Sequence, residues 1–455
     1  MPKQFPPREA YTFDDVLLVP GASEILPEDV CLKTVITKGI ELNVPLMSSA
    51  NSRVTESAMA IAMAKVGGMG IIHGQMPIGR QVEEVRRVKR YEARIVKNPI
   101  TIDPNSPLAE ALDLMASYGV SGIPVVEQGK VVGILTSRDV RFVEDVNVPV
   151  KELMTKDNLV MAQGDVSEEM AKELLHQNRV EKLILTDDQG QCKGLITAKD
   201  IEKSIFFPSA CRDESGRLRV AGAVGVGKDA YDRASALADA ELDMVVVNAA
   251  HGHSKDVLGT VSKIRQLRSS QIPVMAGNVA TAEAARALIN EGADAIKIGV
   301  NMGARNLSGV GVPQLTAIID VADECDRLGI PVVADVGVQS ASDVSKAIAA
   351  GANCIALDQL LTGTDEAPGE LSFYKGRAYK APQEGGGTSR RQRDVIMDPH
   401  SLSQEGMDDK HLYKGRVEHV TSQLVKGLRA AMGYTGNKDM ESMRRNAEFI
   451  KLKKS

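Results

Sequence analysis

Residues 295–314 read AIKIGVNMGARNLSGVGVPQ. The first six, Ala295 to Val300, are short, apolar and β-branched, which predicts a buried strand. Asn301 to Ser308 are small and polar and predict a loop, and Gly309 to Gln314 turn the chain into a helix. This is one βα unit, and the same pattern recurs on both sides of it. Apolar runs read as strands at Pro45–Ser49, Gly68–His73, Ala221–Val226, Asp243–Ala250, Pro273–Val279, Pro331–Val338 and Cys354–Gln359. Amphipathic stretches separate them, among them Thr55–Val66, Arg80–Tyr91, Asp229–Ala240, Ser254–Leu267, Ala282–Glu291 and Ser340–Ala350, and a closing helix is predicted over Val417–Met432. Eight βα units predict an α/β fold, a TIM-type (β/α)8 barrel. Ligands of such barrels meet the C-terminal ends of the strands. The positions to inspect are therefore Ser48 to Ser52, Asn248 to His251, Gly277 to Thr281, the 301–308 loop, Asp335 to Val338, and Asp358 with Gln359.

At 455 residues the chain is long enough for two domains or three. A net charge of -5 argues against a general nucleic-acid partner. The five cysteines, Cys31, Cys192, Cys211, Cys325 and Cys354, are scattered without a CxxC pair or zinc spacing. They read as reduced thiols of a cytoplasmic protein. The N-terminus has no apolar signal core, and no run of about 18 apolar residues is present to span a membrane.

The βα alternation is interrupted over residues 93–205, which contain an internal repeat. The first copy runs from Ile100 through a helix at Leu108–Tyr118 to Gly122–Val126 and Gly133-Ile-Leu-Thr-Ser-Arg-Asp139. The second runs from Met154 through a helix at Ser167–Gln177 to Val180–Leu185 and Gly194-Leu-Ile-Thr-Ala-Lys-Asp200. The pair resembles a tandem CBS module, the Bateman domain, inserted in a barrel formed by residues 1–92 and 206–455. In such modules the T-x-x-D element places a hydroxyl and a carboxylate near a nucleotide ribose. The matching residues are Thr136 and Asp139, then Thr197 and Asp200, and the implied ligand is a purine nucleotide of ATP or GTP type. On the residues alone the same element is also a helix N-capping signal.

Further motifs widen the resemblance. Thr12-Phe-Asp-Asp-Val-Leu-Leu-Val-Pro20, His251-Gly-His-Ser254, Gly277-Asn-Val-Ala-Thr281, Gly309-Val-Gly-Val-Pro-Gln314 and Gly363-Thr-Asp-Glu-Ala-Pro-Gly-Glu370 are similar to scaffold motifs of the inosine-monophosphate (IMP) dehydrogenase and GMP reductase family. Membership implies a cysteine thiolate on the 301–308 loop that attacks C2 of the purine, so that hydride can pass to or from a nicotinamide cofactor. It also implies a phosphate cradle, a nicotinamide platform, and an Arg-Tyr base on a mobile flap.

The chemical positions depart from that pattern. The loop has no cysteine, and Asn301, Arg305 and Asn306 are the residues left at its degenerate catalytic positions. In Ala334-Asp335-Val336-Gly337, Asp335 is retained for ribose and Gly337 for the cradle, while Val336 replaces a glycine. The family's Gly-Ser after the last strand is Asp358-Gln359, which puts a carboxylate where a phosphate would sit. The tyrosine that closes the site aligns with Pro382, and Glu384 follows. The Asp-Ser-Ser before the histidine motif is Asn248-Ala249-Ala250. Counting back from Tyr413-Lys-Gly-Arg416, Arg391 takes the flap arginine and Gln392 the tyrosine, and an amide is no general base. Residues 380–412 are polar and Gly-rich, as a flap would be. Substrate contacts are expected from Ser48, Asn278, Asp335, Gly337, Asp358 and Gln359, and cofactor contacts from Asn248 and His251.

Three readings follow. The first is a catalytically silent or altered family member that responds to nucleotides through residues 93–205, in a homotetramer or octamer or with an active homologue. The second is a barrel repurposed for a nucleoside or another unphosphorylated ligand. The third is an IMP dehydrogenase or GMP reductase with a divergent loop, which would use NAD or NADPH. No metal is expected. Some residues keep bland alternatives: His251 and His253 as loop caps, Asp335 as a strand terminator, and Arg390 to Arg393 as a solvated segment.

Overall fold

A computed structural model describes residues 8–453, apart from 51–52, 92–95, 98, 119, 165, 199–200, 202–205, 268–271, 300–307, 375–376 and 382–410. The chain divides into two compact units. One comprises residues 1–91, 209–213 and 218–455; the other comprises 92–208 and 214–217.

In the larger unit eight strands alternate with helices: β1 (Leu46–Ser48), α1 (Ser57–Lys65), β2 (Gly70–Ile72), α2 (Ile78–Tyr91), β3 (Val220–Val224), α3 (Ala230–Asp239), β4 (Met244–Asn248), α4 (Lys255–Arg265), β5 (Val274–Val279), α5 (Ala282–Asn290), β6 (Ala295–Ile298), α6 (Gln314–Leu328), β7 (Val332–Asp335), α7 (Ala341–Ala349), β8 (Cys354–Leu357) and α8 (Val417–Thr435). The sheet order is β1-β8-β7-β6-β5-β4-β3-β2, every pairing parallel. The ring closes between β1 and β2 through a Met47–Met69 bridge, with Ser48 N donating to Met69 O at 3.1 Å and Met69 N to Leu46 O at 3.2 Å. The result is a (β/α)8 barrel. Its strands are mostly apolar because helices cover their outer faces and packed side chains fill the interior, the polar exceptions being Ser48, Asn248, Asn278, Lys297 and Asp335.

Helix starts follow from local chemistry. Ser254, Thr281 and Ser340 accept hydrogen bonds from Val257 N, Ala284 N and Asp343 N and cap α4, α5 and α7. Each cap satisfies an otherwise orphaned amide and is worth about 1 kcal/mol. Gly329 ends α6 in the left-handed conformation that glycine adopts without strain.

Three features differ from expectation. Residues 1–40, read as a lead-in, include a hairpin of Thr34–Thr37 with Ile40–Leu42. Its Ile36, Ile40 and Leu42 enter the barrel core beside Met244, Ala295 and Cys354 and plug the N-terminal end. The seventh strand, expected to run to Val338, stops at Asp335 because Val336 and Gly337 take φ of 78° and 84° and turn the chain out. At the two ends of 380–412, strands Arg377–Ala381 and His411–Leu412 join Glu370–Tyr374 in an antiparallel sheet. Pro382, Glu384, Arg391 and Gln392 lie outside the described residues.

The smaller unit shows the repeat. Helix Leu108–Tyr118 leads into a hairpin of Gly122–Glu127 with Lys130–Thr136. Helix Glu168–Asn178 leads into a hairpin of Lys182–Thr186 with Cys192–Thr197. Each copy has its own apolar core, Leu108, Ala111, Ile123 and Leu135 in one and Ala171, Leu175, Leu183 and Ile196 in the other. Ile134 packs with Ile184 and Leu195 between the copies.

Candidate functional site

The C-terminal ends of the barrel strands converge on Asp335. Its carboxylate is completely buried and meets the equally buried Lys297 Nζ of β6 at 2.5 Å. Ser49 Oγ, just past β1, donates to its Oδ1 at 2.8 Å, and Asn278 Nδ2 of β5 donates to its Oδ2 at 3.1 Å. Burial favours the neutral acid, but the Lys297 charge and the hydrogen bonds from Lys297, Ser49 and Asn278 outweigh it. They hold the carboxyl below the usual carboxylate range. Gln314 Nε2 ties the main chain of β6 and β7 together, donating to Ile298 O and Asp335 O. Four strand ends therefore share one charged centre.

Among the described residues the mouth also holds two acceptors without donors. Asn278, 6% exposed, gives one amide hydrogen to Asp335 Oδ2, and Asn248 Nδ2 at the end of β4 reaches Ala50 O at 3.5 Å. In this arrangement Nδ2 of each amide is the donor and Oδ1 the free end. Asn278 Oδ1 and Asn248 Oδ1 are left buried and unsatisfied. A buried acceptor in this state costs about 1–3 kcal/mol until something donates to it. The histidine motif folds over the same edge: Gly252 N donates to Asn278 O at 2.7 Å, and a Cβ at Gly252 would meet that oxygen at 2.7 Å. His251 is exposed and His253 half-buried, and Ser254 supplies the cap of α4.

The remaining expected residues are distributed as follows. Ser48 is fully buried, and its Oγ accepts from Thr55 Oγ1 at 2.7 Å and from Ile71 N at 3.1 Å, across the β1–β2 seam. Gly337 is exposed, Asp358 is half-buried and Gln359 exposed beyond β8. Asn301, Arg305 and Asn306 lie outside the described residues. In the smaller unit, Asp139 Oδ2 accepts from Thr136 N and Thr136 Oγ1, both at 2.7 Å, so this T-x-x-D closes on itself. Thr197 ends its strand, and Asp200 lies outside the described residues.

No thiol is placed at the mouth. Cys354 opens β8 and Cys211 packs with it in the core at the plugged end of the barrel; Cys325 lies within α6. Burial pushes the Cys211 and Cys325 thiols up to about 12 and the Cys354 thiol higher still. Cys31 is exposed before the plug, and Cys192 belongs to the smaller unit. Lys297 was missed in the sequence, although a lysine inside an otherwise apolar strand of a parallel sheet is itself a signal.

A model of the IMP dehydrogenase/GMP reductase domain matches residues 10–455. The chain belongs to the IMP dehydrogenase/GMP reductase family. Inosine-5'-monophosphate dehydrogenase of Aquifex aeolicus is 46% identical, over 98% of this chain and 93% of that protein. The Bacillus subtilis enzyme of the same name is 45% identical over the same shares. Among solved structures, a cysteine-to-alanine variant of Trypanosoma brucei GMP reductase in complex with guanosine 5'-monophosphate is similar at a TM-score of 0.88 and 35% identity. That match covers 100% of this chain and 97% of the other. The same organism's GMP reductase in complex with guanosine 5'-triphosphate matches at 0.83 and 33% identity, covering 99% of each chain. Among the described residues no helix is long and apolar enough to cross a membrane.

Proposed function

We propose that this chain is a purine-binding member of the family that does not carry out the thiolate step. It acts as a nucleotide-responsive regulatory or partner protein in purine nucleotide metabolism. The observation that carries this reading is that the segment 299–313 contains no cysteine and that every thiol in the sequence lies elsewhere. Without a sulfur nucleophile no covalent adduct forms at the purine C2, and hydride has no tetrahedral carbon from which to leave. The mouth nevertheless keeps an acceptor-rich cradle of Asp335, Asn278 and Asn248, and binding requires no thiol. Residues 93–205, read as a CBS pair, supply the nucleotide response, with ATP or GTP as ligand. Assembly with an active homologue, or as a homotetramer or octamer, would let that response reach a working enzyme.

A second reading is retained oxidoreductase activity. The 46% identity to a protein named as an IMP dehydrogenase favours it. In that case Asn248 and His251 are the described residues that would meet NAD, and the acceptor Asn248 Oδ1 suits a hydroxyl or carboxamide donor.

The test is an NAD-reduction assay with IMP beside thermal unfolding with IMP, GMP, inosine, ATP and GTP. A ligand at 100 times its dissociation constant adds about 2.7 kcal/mol. ATP or GTP is expected to raise the melting temperature while no NADH forms. Steady NADH production dependent on IMP would establish the second reading and end the first.

A further inference from the structure

We infer that residues 8–11 form a strap that sets the ends of β6 and β7, and with them the shape of the barrel mouth. The chain leaves the barrel at the end of β6, Ile298, and returns as α6 at Gln314. The start of α6 is therefore the second anchor of the segment between them. Ser254, Thr281 and Ser340 cap α4, α5 and α7 from the position before each helix. α6 has Pro313 in that position, which has no side-chain acceptor to offer, and its first turn carries no acid to favour the exposed amides.

A remote stretch supplies what the local sequence lacks. Thr316 N, in the first turn of α6, donates to Tyr11 O at 3.3 Å, and Tyr11 N donates to Thr316 Oγ1 at 2.7 Å. One turn further along the helix, Asp320 pairs with Arg8. The strap is held in turn by the C-terminal strand Phe449–Lys451, which pairs with Val16–Leu18. Lys451 Nζ donates to Glu9 Oε2 at 2.8 Å and lies 5.0 Å from the centre of the Tyr11 ring. Tyr11 and Thr316 are 305 positions apart, so this cap forms only where the N-terminal segment is docked.

The same turn of α6 reaches the mouth. Gln314 Nε2 donates to Ile298 O at 3.3 Å and to Asp335 O at 3.1 Å, the last residues of β6 and β7. The two strand ends are packed against each other there, since a Cβ at Gly299 would collide with Asp335 O. Gly299 N donates to Val279 O at 3.0 Å, which carries the link on to β5, where Asn278 holds the Asp335 carboxylate. So tight an arrangement has little slack to absorb a shift. A first turn of α6 that frays releases Gln314, and with it the main chain that carries Asp335. Docking or detachment of residues 8–11 thus changes the mouth without touching a ligand.

The experiment is hydrogen–deuterium exchange of the full chain beside a variant lacking residues 1–11 and beside Thr316→Val, which keeps the shape of the side chain and removes the hydroxyl that accepts from Tyr11. Peptides covering the first turn of α6 and the ends of β6 and β7 report on the strap. Peptides covering β2 and β3, on the far side of the barrel, are the reference. Both variants are expected to speed exchange at α6, β6 and β7 by at least about fivefold, the truncation more than the point variant, with β2 and β3 unchanged. Faster exchange confined to α6 would reduce the contact to a local cap and overturn its link to the mouth. Faster exchange throughout the barrel, or in no part of it, would overturn the strap as a separate device. Thr316→Val decides between these outcomes if the truncated chain does not fold.

Discussion

Val336 is a β-branched residue at φ 78°, in the left-handed region, directly after the buried Asp335. A residue with a Cβ pays about 1–2 kcal/mol to sit there. Replacement by glycine removes that cost but restores unfolded-chain freedom worth about 0.4–1 kcal/mol, and it deletes half-buried methyl groups. The comparison that isolates the strain is Val336→Gly against Val336→Ala, because both lose the same γ-carbons. At an ordinary position in a helix or strand the glycine variant is the less stable by about 0.5–1 kcal/mol. At position 336 the order should reverse, with Val336→Gly the more stable by roughly 0.5–1 kcal/mol. Urea unfolding followed by far-ultraviolet circular dichroism on the full chain measures the difference as a shift in the midpoint of the barrel transition. If the alanine variant proves equal or superior, residue 336 does not hold a left-handed backbone, and the account of how the seventh strand ends is wrong.

Other expectations concern the buried charges and thiols. Lys297→Met should destabilise the barrel by about 3–5 kcal/mol, because Asp335 is left buried without its counter-ion; adding Asp335→Asn should recover much of the loss in the same urea assay. His73 is held down to about 4, first by burial and then by the charges of Arg53 and Arg80. Below about 6.5 the unfolded chain takes up that proton before the folded one does. Stability should therefore fall as pH drops from about 6.5 to 4, by up to about 3 kcal/mol, and His73→Asn should flatten this slope in a pH series of melts. Thiol titration of the native protein should find Cys31 reacting fast and Cys211, Cys325 and Cys354 reacting only on unfolding; rapid labelling of any of the three would contradict their burial.

The barrel was legible because parallel strands buried on both faces read as continuous Val, Ile and Ala runs, and Ser254, Thr281 and Ser340 announce the helices that follow. Asp335, Asn278 and Asn248 were legible as strand-end polar residues. Their partnerships were not. Lys297 and Asp335 are 38 positions apart, and nothing local in either strand indicates that they share a hydrogen bond. The end of β7 was also hidden, since valine is a strand former and nothing local in the sequence announces that Val336 takes a left-handed conformation. The plug hairpin escaped because two very short strands leave little periodicity to detect. Which acceptors go unsatisfied depends on where neighbouring amides spend their hydrogens, and sequence carries no record of that.

The pairing of β1 with β8, Leu46 against Ile355, has a consequence for biogenesis. When β1 emerges from the ribosome, the partner that completes its hydrogen bonds has not yet been made. At about 5–20 residues per second the wait is roughly 15–60 s. Over that interval one rim of the nascent sheet presents bare amides and carbonyls to its surroundings, the condition under which strands pair with the wrong chain. The smaller unit, with a separate core in each repeat, finishes emerging well before β8 and can fold during the delay. Pulse-labelled nascent chains should therefore acquire protease resistance in residues 92–208 first, and the barrel only after β8 has emerged.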